Sequence, residues 1–334
     1  VLELRRADAA LSRGPVAIRP SPMRLSSRLV VLLTLPPLLW AGNAVVGRLM
    51  VGQVPPLALN ALRWLAVLVV LLPLGWKAVA TPAARQAIVQ RWRELALLGL
   101  LGMGLFNALQ YTALTTSTPV NVTLIAASMP VWMLAVGALV YGEPVSRRSL
   151  VGAALSLAGV AVVLVRGEPA HLVDVRFVPG DLWMLVAVIS WAFYTWTLAR
   201  PGPLMRGDAR PAWDWAGFLL VQTLFGVVWA GTFALGELAL APAWTLQWTL
   251  PVVLAVVYVA VGPSVVAYYC WGRGVAAVGP ALAAFFGNLS PLFAALMQAA
   301  LLGEPPQPYH GLAFALIVAG IVVTTRRRRP AAEP

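Results

Sequence analysis

Arg63 has the most chemistry to offer in this chain, because a guanidinium set among apolar residues needs a reason to be there. At the centre of an inserted helix such a charge costs about 2.5 to 3.5 kcal/mol. Arg48 closes the preceding apolar run at a comparable depth. Two guanidinium groups near one cavity mouth would attract a carboxylate or a phosphate, which arginine can grip through two parallel hydrogen bonds. The alternative is that Arg63 snorkels outward or donates to backbone carbonyls of a neighbouring helix. Farther along, Asn107, Gln110 and Tyr111 stand at i, i+3 and i+4 and share one helical face, too polar to meet lipid. That face either lines a cavity or bonds an adjacent helix.

Tyr268 lies 161 positions after Asn107 and is deeper in its run than Tyr269 and Trp271, which read as interfacial anchors. Asn43, Trp191, Tyr194 and Asn288 complete the candidate lining. Pro130 and Pro291 are twins at the same spacing, and each removes a backbone donor, giving either a hinge or a fixed kink.

Other chemistries lack their residues. No Asp or Glu falls in the middle of an apolar run: Glu143 and Glu304 close two runs and Asp181 opens another. A proton-coupling carboxylate at the midplane is therefore missing. The two histidines, His171 and His310, and the single Cys270 offer no metal site, no disulfide and no paired nucleophile. No GxxxxGK[ST] loop is present to bind ATP, so any driving force comes from gradients. An integral-membrane enzyme acting on lipid or isoprenoid substrates would need clustered acids or metal ligands that are not seen. A non-transporting receptor fits the spans but leaves the repeats described below without a reason. No cofactor is implied.

Composition dictates how these residues are held. The chain is 60% hydrophobic and 11% charged, with a mean hydropathy of +0.82, which is a membrane composition. A bilayer core of roughly 30 Å takes about 20 helical residues. Ten such runs can be drawn, near 29–50, 57–76, 95–115, 120–141, 149–166, 181–199, 215–236, 250–271, 281–302 and 310–325. The expected fold is an all-α polytopic membrane protein.

Two of these hairpins repeat one another at an offset of 161, pairing Pro119 with Pro280, Gly142-Glu143-Pro144 with Gly303-Glu304-Pro305, and Ala158-Gly159 with Ala319-Gly320. Each Gly suits a left-handed helix end ahead of its Glu-Pro turn. Five crossings separate the copies, an odd number, so the second must be inverted, the pattern of carriers that open alternately to each side. A fainter echo at offset 151 matches Trp40-Ala41 and Asn43 with Trp191-Ala192 and Tyr194. Residues 29–166 and 181–325 thus form two inverted five-helix repeats joined by an outer linker, 167–180. A cytoplasmic segment, 1–28, whose first 22 residues are expected to be disordered or untranslated, and a basic cytoplasmic tail, 326–334, flank them.

Most of the 24 Lys and Arg residues fall on the face this count makes cytoplasmic, among them Arg91, Arg147, Arg200, Arg210, Arg273 and Arg326 to Arg329. Both termini then lie inside. A net charge of +12 scattered over loops reads as topology and not as a nucleic-acid surface. The partners expected are a small-molecule substrate and the lipid bilayer, with a homodimer left open.

Trp40-Ala41-Gly42-Asn43 followed by Arg48, Ala61-Leu62-Arg63-Trp64, Asn107-Ala108-Leu109-Gln110-Tyr111 and the two Gly-Glu-Pro turns, in this order, resemble the EamA-like members of the drug/metabolite transporter superfamily. The resemblance covers nearly all of 29–325. It implies export or exchange of small metabolites across a bacterial inner membrane, through a central cavity built from both halves. It names no cargo. Single-cysteine labelling from each side is expected to reach positions 143 and 327 from one face and position 304 from the other.

Overall fold

The computed structural model describes residues 26–117, 122, 125–165, 167, 168, 170, 178–240, 246, 248–302 and 307–325. The N-terminal segment through Arg24, the linker residues Arg166, His171, Asp174 and Arg176, the Gly303-Glu304-Pro305 turn and the Arg326 to Arg329 tail lie outside these. Among the described residues the structure is helical and free of strands.

The apolar runs form α1 (Ser27–Leu49), α2 (Pro56–Gly75), α3 (Trp92–Thr116), α4 (Met129–Tyr141), α5 (Arg147–Leu164), α6 (Pro179–Ala199), α7 (Trp215–Leu240) and α8 (Leu250–Val278). Next come α9, in two pieces (Pro280–Gly287 and Leu289–Leu302), and α10 (Pro308–Thr325). Eight of these are long and apolar enough to cross a bilayer, α4 is a shorter apolar helix, and α5 has 18 residues. A surface helix over Pro82–Gln90, capped by the Thr81 hydroxyl, fills the link between α2 and α3.

Equivalent helices pack on one another in opposite directions. In α5 and α10, a Cβ on Gly152 would lie 2.8 Å from the Gly320 carbonyl, and one on Gly159 would lie 2.8 Å from the Ala313 carbonyl. Numbers rise along one helix as they fall along the other, and each pair maps onto the other under the 161 offset, the signature of a two-fold relation. The same holds for α2 and α7, where Leu57 and Ala58 face Glu237 at one end and Gly75 meets Ala216 at the other. An antiparallel match between equivalent helices means that the second repeat is inverted. The glycines explain the closeness, since small residues let membrane helices approach backbone to backbone.

Twin residues also touch near this axis. The rings of Trp40 and Trp191 meet edge to face with centroids 5.3 Å apart, and Asn107 Nδ2 donates to the Tyr268 hydroxyl at 3.3 Å.

Three departures from regular helix matter. Both α3 and α8 contain one π-helical turn, Leu100–Leu105 and Val261–Val266, at the 161 spacing. α4 and α9 are interrupted at Ser128 and Asn288, just ahead of Pro130 and Pro291. The break before Pro130 is closed locally, because the Ser128 hydroxyl donates to the Ile125 carbonyl at 2.6 Å. Finally, α7 runs past its expected end at 236, which puts Glu237 inside the helix. Its Oε2 accepts the Leu57 and Ala58 amides, both at 3.0 Å, so a carboxylate caps the positive end of α2.

Gly142 takes φ +66° and ends α4 in the left-handed conformation, and the following Glu143 pairs with Arg200. Replacing Gly159 with Val should force α5 away from α10 and lower stability by about 1 to 3 kcal/mol, read as a fall in melting temperature of the purified protein.

Candidate functional site

Arg63 is fully buried on α2 and makes four hydrogen bonds to side chains from three other helices. Its Nε donates to Ser264 Oγ at 2.6 Å, and its Nη1 donates to Asn43 Oδ1 at 3.2 Å, Asn107 Oδ1 at 2.8 Å and the Tyr111 hydroxyl at 3.0 Å. The guanidinium also stands 5.4 Å from the Trp64 ring centroid. None of these partners is a carboxylate. A charge buried this way is held by oriented dipoles alone, and its Nη2 has no hydrogen-bond partner among the described residues.

The surrounding network fixes each acceptor. Tyr111 donates to Asn43 Oδ1 at 2.7 Å, and Asn43 Nδ2 donates to Gln110 Oε1 at 3.2 Å. The polar face of α3 therefore turns inward onto α1 and α2, as its spacing requires. Asn107 Nδ2 also donates to the Gly102 carbonyl at 3.2 Å, a carbonyl that the Tyr268 hydroxyl reaches as well.

The two π turns make these contacts available. In α3 the Phe106 amide reaches back to the Leu101 carbonyl, which frees the Gly102 carbonyl for side chains. Its neighbour Met103 accepts from Asn60 Nδ2 and Trp64 Nε1, both at 3.0 Å. In α8 Pro263 has no amide proton to give the Val259 carbonyl, and the Ser264 hydroxyl takes that place at 2.7 Å while accepting from Arg63. The Pro263 carbonyl in turn accepts Trp40 Nε1 at 3.1 Å.

Beside this cluster lies an aromatic wall. Trp191 is fully buried and contacts Trp40, Phe106, Tyr194, Tyr268 and Trp271 with centroids 4.8 to 5.9 Å apart. Trp191 Nε1 has no partner among the described residues. The Tyr194 hydroxyl donates to Gln222 Oε1 at 3.3 Å. By the 151 offset Tyr194 matches Asn43, so Gln222 on α7 occupies the role that Arg63 has on α2. The charge therefore belongs to one repeat only.

Several expectations need correction. Arg48 does not join Arg63 at a common mouth: it is exposed, and its Nη1 donates to the Leu114 carbonyl at 3.0 Å, where a cation offsets the negative end of α3. Neither does Arg63 snorkel or bond backbone carbonyls. Trp271 is buried and not an interfacial anchor, because α8 continues to Val278. Asn288 is fully buried at the break in α9 and takes no part in the hydrogen bonds around Arg63, with neither amide atom bonded among the described residues. Pro291, three residues on, removes the amide that an asparagine before a helix usually caps.

Ser264, Asn60 and Trp64 were not among the candidates. Asn60, Arg63 and Trp64 stand at i, i+3 and i+4, the same spacing that marks α3, and this signal would have found two of them. Next to Tyr111 a small cleft is lined in part by Gly47, Met50, Leu59 and Thr115. Replacing Ser264 with Ala strands both Arg63 Nε and the Val259 carbonyl, and should cost about 1 to 3 kcal/mol in a thermal melt; an unchanged melting temperature would contradict the assignment.

A model of the EamA-like transporter family matches this chain twice, over residues 27–165 and 178–326, which are the two repeats. An uncharacterized transporter of Archaeoglobus fulgidus is 26% identical over 91% of this chain and 99% of its own length. The aromatic amino acid exporter YddG of Ancylobacter novellus is 26% identical over 86% of this chain and 93% of its own. A solved crystal structure shares the fold at a TM-score of 0.68 and 24% identity, over 90% of this chain and 96% of that one. With ten apolar helices among the described residues in two inverted repeats and the family model spanning both, this chain is a multi-pass membrane protein that belongs to the EamA-like transporter family.

Proposed function

We propose that the protein carries a small metabolite bearing a carboxylate, with amino acids the leading class, across the inner membrane as an exporter or exchanger. Cargo sits between the halves near the two-fold axis, and relative tilting of the repeats exposes it to each side in turn. The observation that carries this reading is the free Nη2 of Arg63, a buried cationic donor without a partner among the described residues, beside an aromatic wall. A carboxylate would complete the guanidinium and the rings would receive an apolar side chain. The similarity to YddG, an aromatic amino acid exporter, supports that pairing. The loop arginines support a topology with both termini in the cytoplasm.

Partners of Arg63 are neutral, and the carboxylates of Glu237 and the buried Asp181 are tied down elsewhere, Glu237 by the amide end of α2 and Asp181 by the Val178 amide and the Ser117 hydroxyl. Coupling is accordingly read as exchange or facilitated diffusion down the cargo gradient. The test is flux of radiolabelled amino acids into liposomes holding the purified protein, with and without an imposed pH gradient. Flux should persist without the gradient and fall by about tenfold or more in an Arg63→Ala protein, the loss expected for one charge-assisted hydrogen bond. Normal rate and affinity in that variant would remove Arg63 from the site.

A further inference from the structure

The link from α2 to α3, residues 76–93, joins two membrane-spanning helices and so lies at one boundary between hydrocarbon and water. Its surface helix, Pro82–Gln90, is held against the bundle, because Ile88 packs on the buried cluster of Ala78, Leu95 and Val221. With Ile88 turned inward, the exposed Arg85 and Val89 share an outer flank at i and i+4. Trp76, Val89 and Trp92 are 56%, 66% and 53% exposed. Large apolar side chains left open at this depth anchor a segment in the headgroup layer.

Charge on the link has one sign. It holds four basic residues, Lys77, Arg85, Arg91 and Arg93, and no acid. Arg91 spends its guanidinium inside the protein, with Nε donating to the Leu204 carbonyl at 2.8 Å, Nη2 to the Ala209 carbonyl at 2.6 Å and Nη1 to the Ala87 carbonyl at 2.9 Å. The acid that follows, Glu94, accepts the Gly202 amide at 3.2 Å. Lys77, Arg85 and Arg93 are exposed and make no hydrogen bond or ion pair among the described residues. The Arg93 guanidinium stands 5.6 Å from the Trp92 ring centroid, which leaves its N–H groups to an outside acceptor.

We propose that this link is a binding surface for anionic phospholipid, with Lys77, Arg85 and Arg93 taking the headgroup phosphates while Trp76, Val89 and Trp92 settle at the acyl boundary. Cations beside an anionic bilayer are each worth about fivefold in affinity, and a guanidinium can grip a phosphate through two parallel hydrogen bonds. A choline headgroup carries its own positive charge and leaves these cations uncompensated. The assignment stands apart from the transport reading, because none of these residues bonds to Arg63.

The test uses the full chain in nanodiscs, with Cys270→Ala and with bimane on Gln86→Cys, an exposed position of the surface helix. Quenching is read with bromine-labelled phosphatidylglycerol and bromine-labelled phosphatidylcholine at equal mole fraction. Phosphatidylglycerol should displace phosphatidylcholine from the label with a relative affinity of about tenfold or more, and molar salt should shrink that ratio. Lys77→Gln, Arg85→Gln and Arg93→Gln together should bring the ratio close to one, and each alone should lower it about twofold or more. Equal melting of the triple variant and the parent chain in phosphatidylcholine alone verifies folding, and the single variants carry the test if the triple variant fails to fold. A ratio near one in the parent chain, or a preference that survives these substitutions, overturns the proposal.

Discussion

Placing an arginine where water does not reach obliges the neighbouring helices to supply oxygen atoms at fixed positions, and here they come from α1, α3 and α8 at once. Each of those oxygens is in turn oriented by another contact: Asn43 by Tyr111 and Gln110, Asn107 by the Gly102 carbonyl, Ser264 by Val259. Leaving any one of them unmade would expose the charge to a medium that cannot solvate it. Helix irregularity follows from the same demand. A regular α3 would consume the Gly102 carbonyl, and a regular α8 without Pro263 would consume that of Val259. The π turns thus convert backbone groups into ligands for the side chains around Arg63.

The second constraint is symmetry with one term broken. Twin helices α2 and α7, and α5 and α10, pack antiparallel, and twin residues Trp40 with Trp191 and Asn107 with Tyr268 meet near the axis. A two-fold pair of bundles can tilt either way with similar contacts, which suits alternating access. Arg63 has Gln222 for a counterpart, and Asn43 has Tyr194. Charge and amides therefore come mainly from one half, while the aromatic wall takes Trp191, Tyr194, Tyr268 and Trp271 from the other and Trp40 and Phe106 from the first.

Much of this was legible in the residues, for a physical reason. Spans and inversion follow from hydropathy and from a repeat whose register holds across 161 residues, because a bilayer leaves helices little freedom in length or direction. The inward face of Asn107, Gln110 and Tyr111 followed from the cost of turning amides toward lipid. The partners of Arg63 were not legible: which oxygen a guanidinium finds depends on how far two helices are rotated, and spacing does not encode rotation. Arg48 misled because depth along a helix says nothing about the side it faces. Ser264 escaped because its role depends on the missing proton of Pro263, a backbone deficit visible only once the helix is built.

The central claim is that Arg63 holds a charged donor in reserve for the carboxylate of the cargo. Isothermal titration of the purified protein with an amino acid and with its primary amide, for wild type and for Arg63→Lys, tests it most directly. Wild type should bind the acid about tenfold or more tighter than the amide, and Arg63→Lys, lacking the planar fork, should lose most of that preference. Equal affinity of wild type for acid and amide would contradict the account.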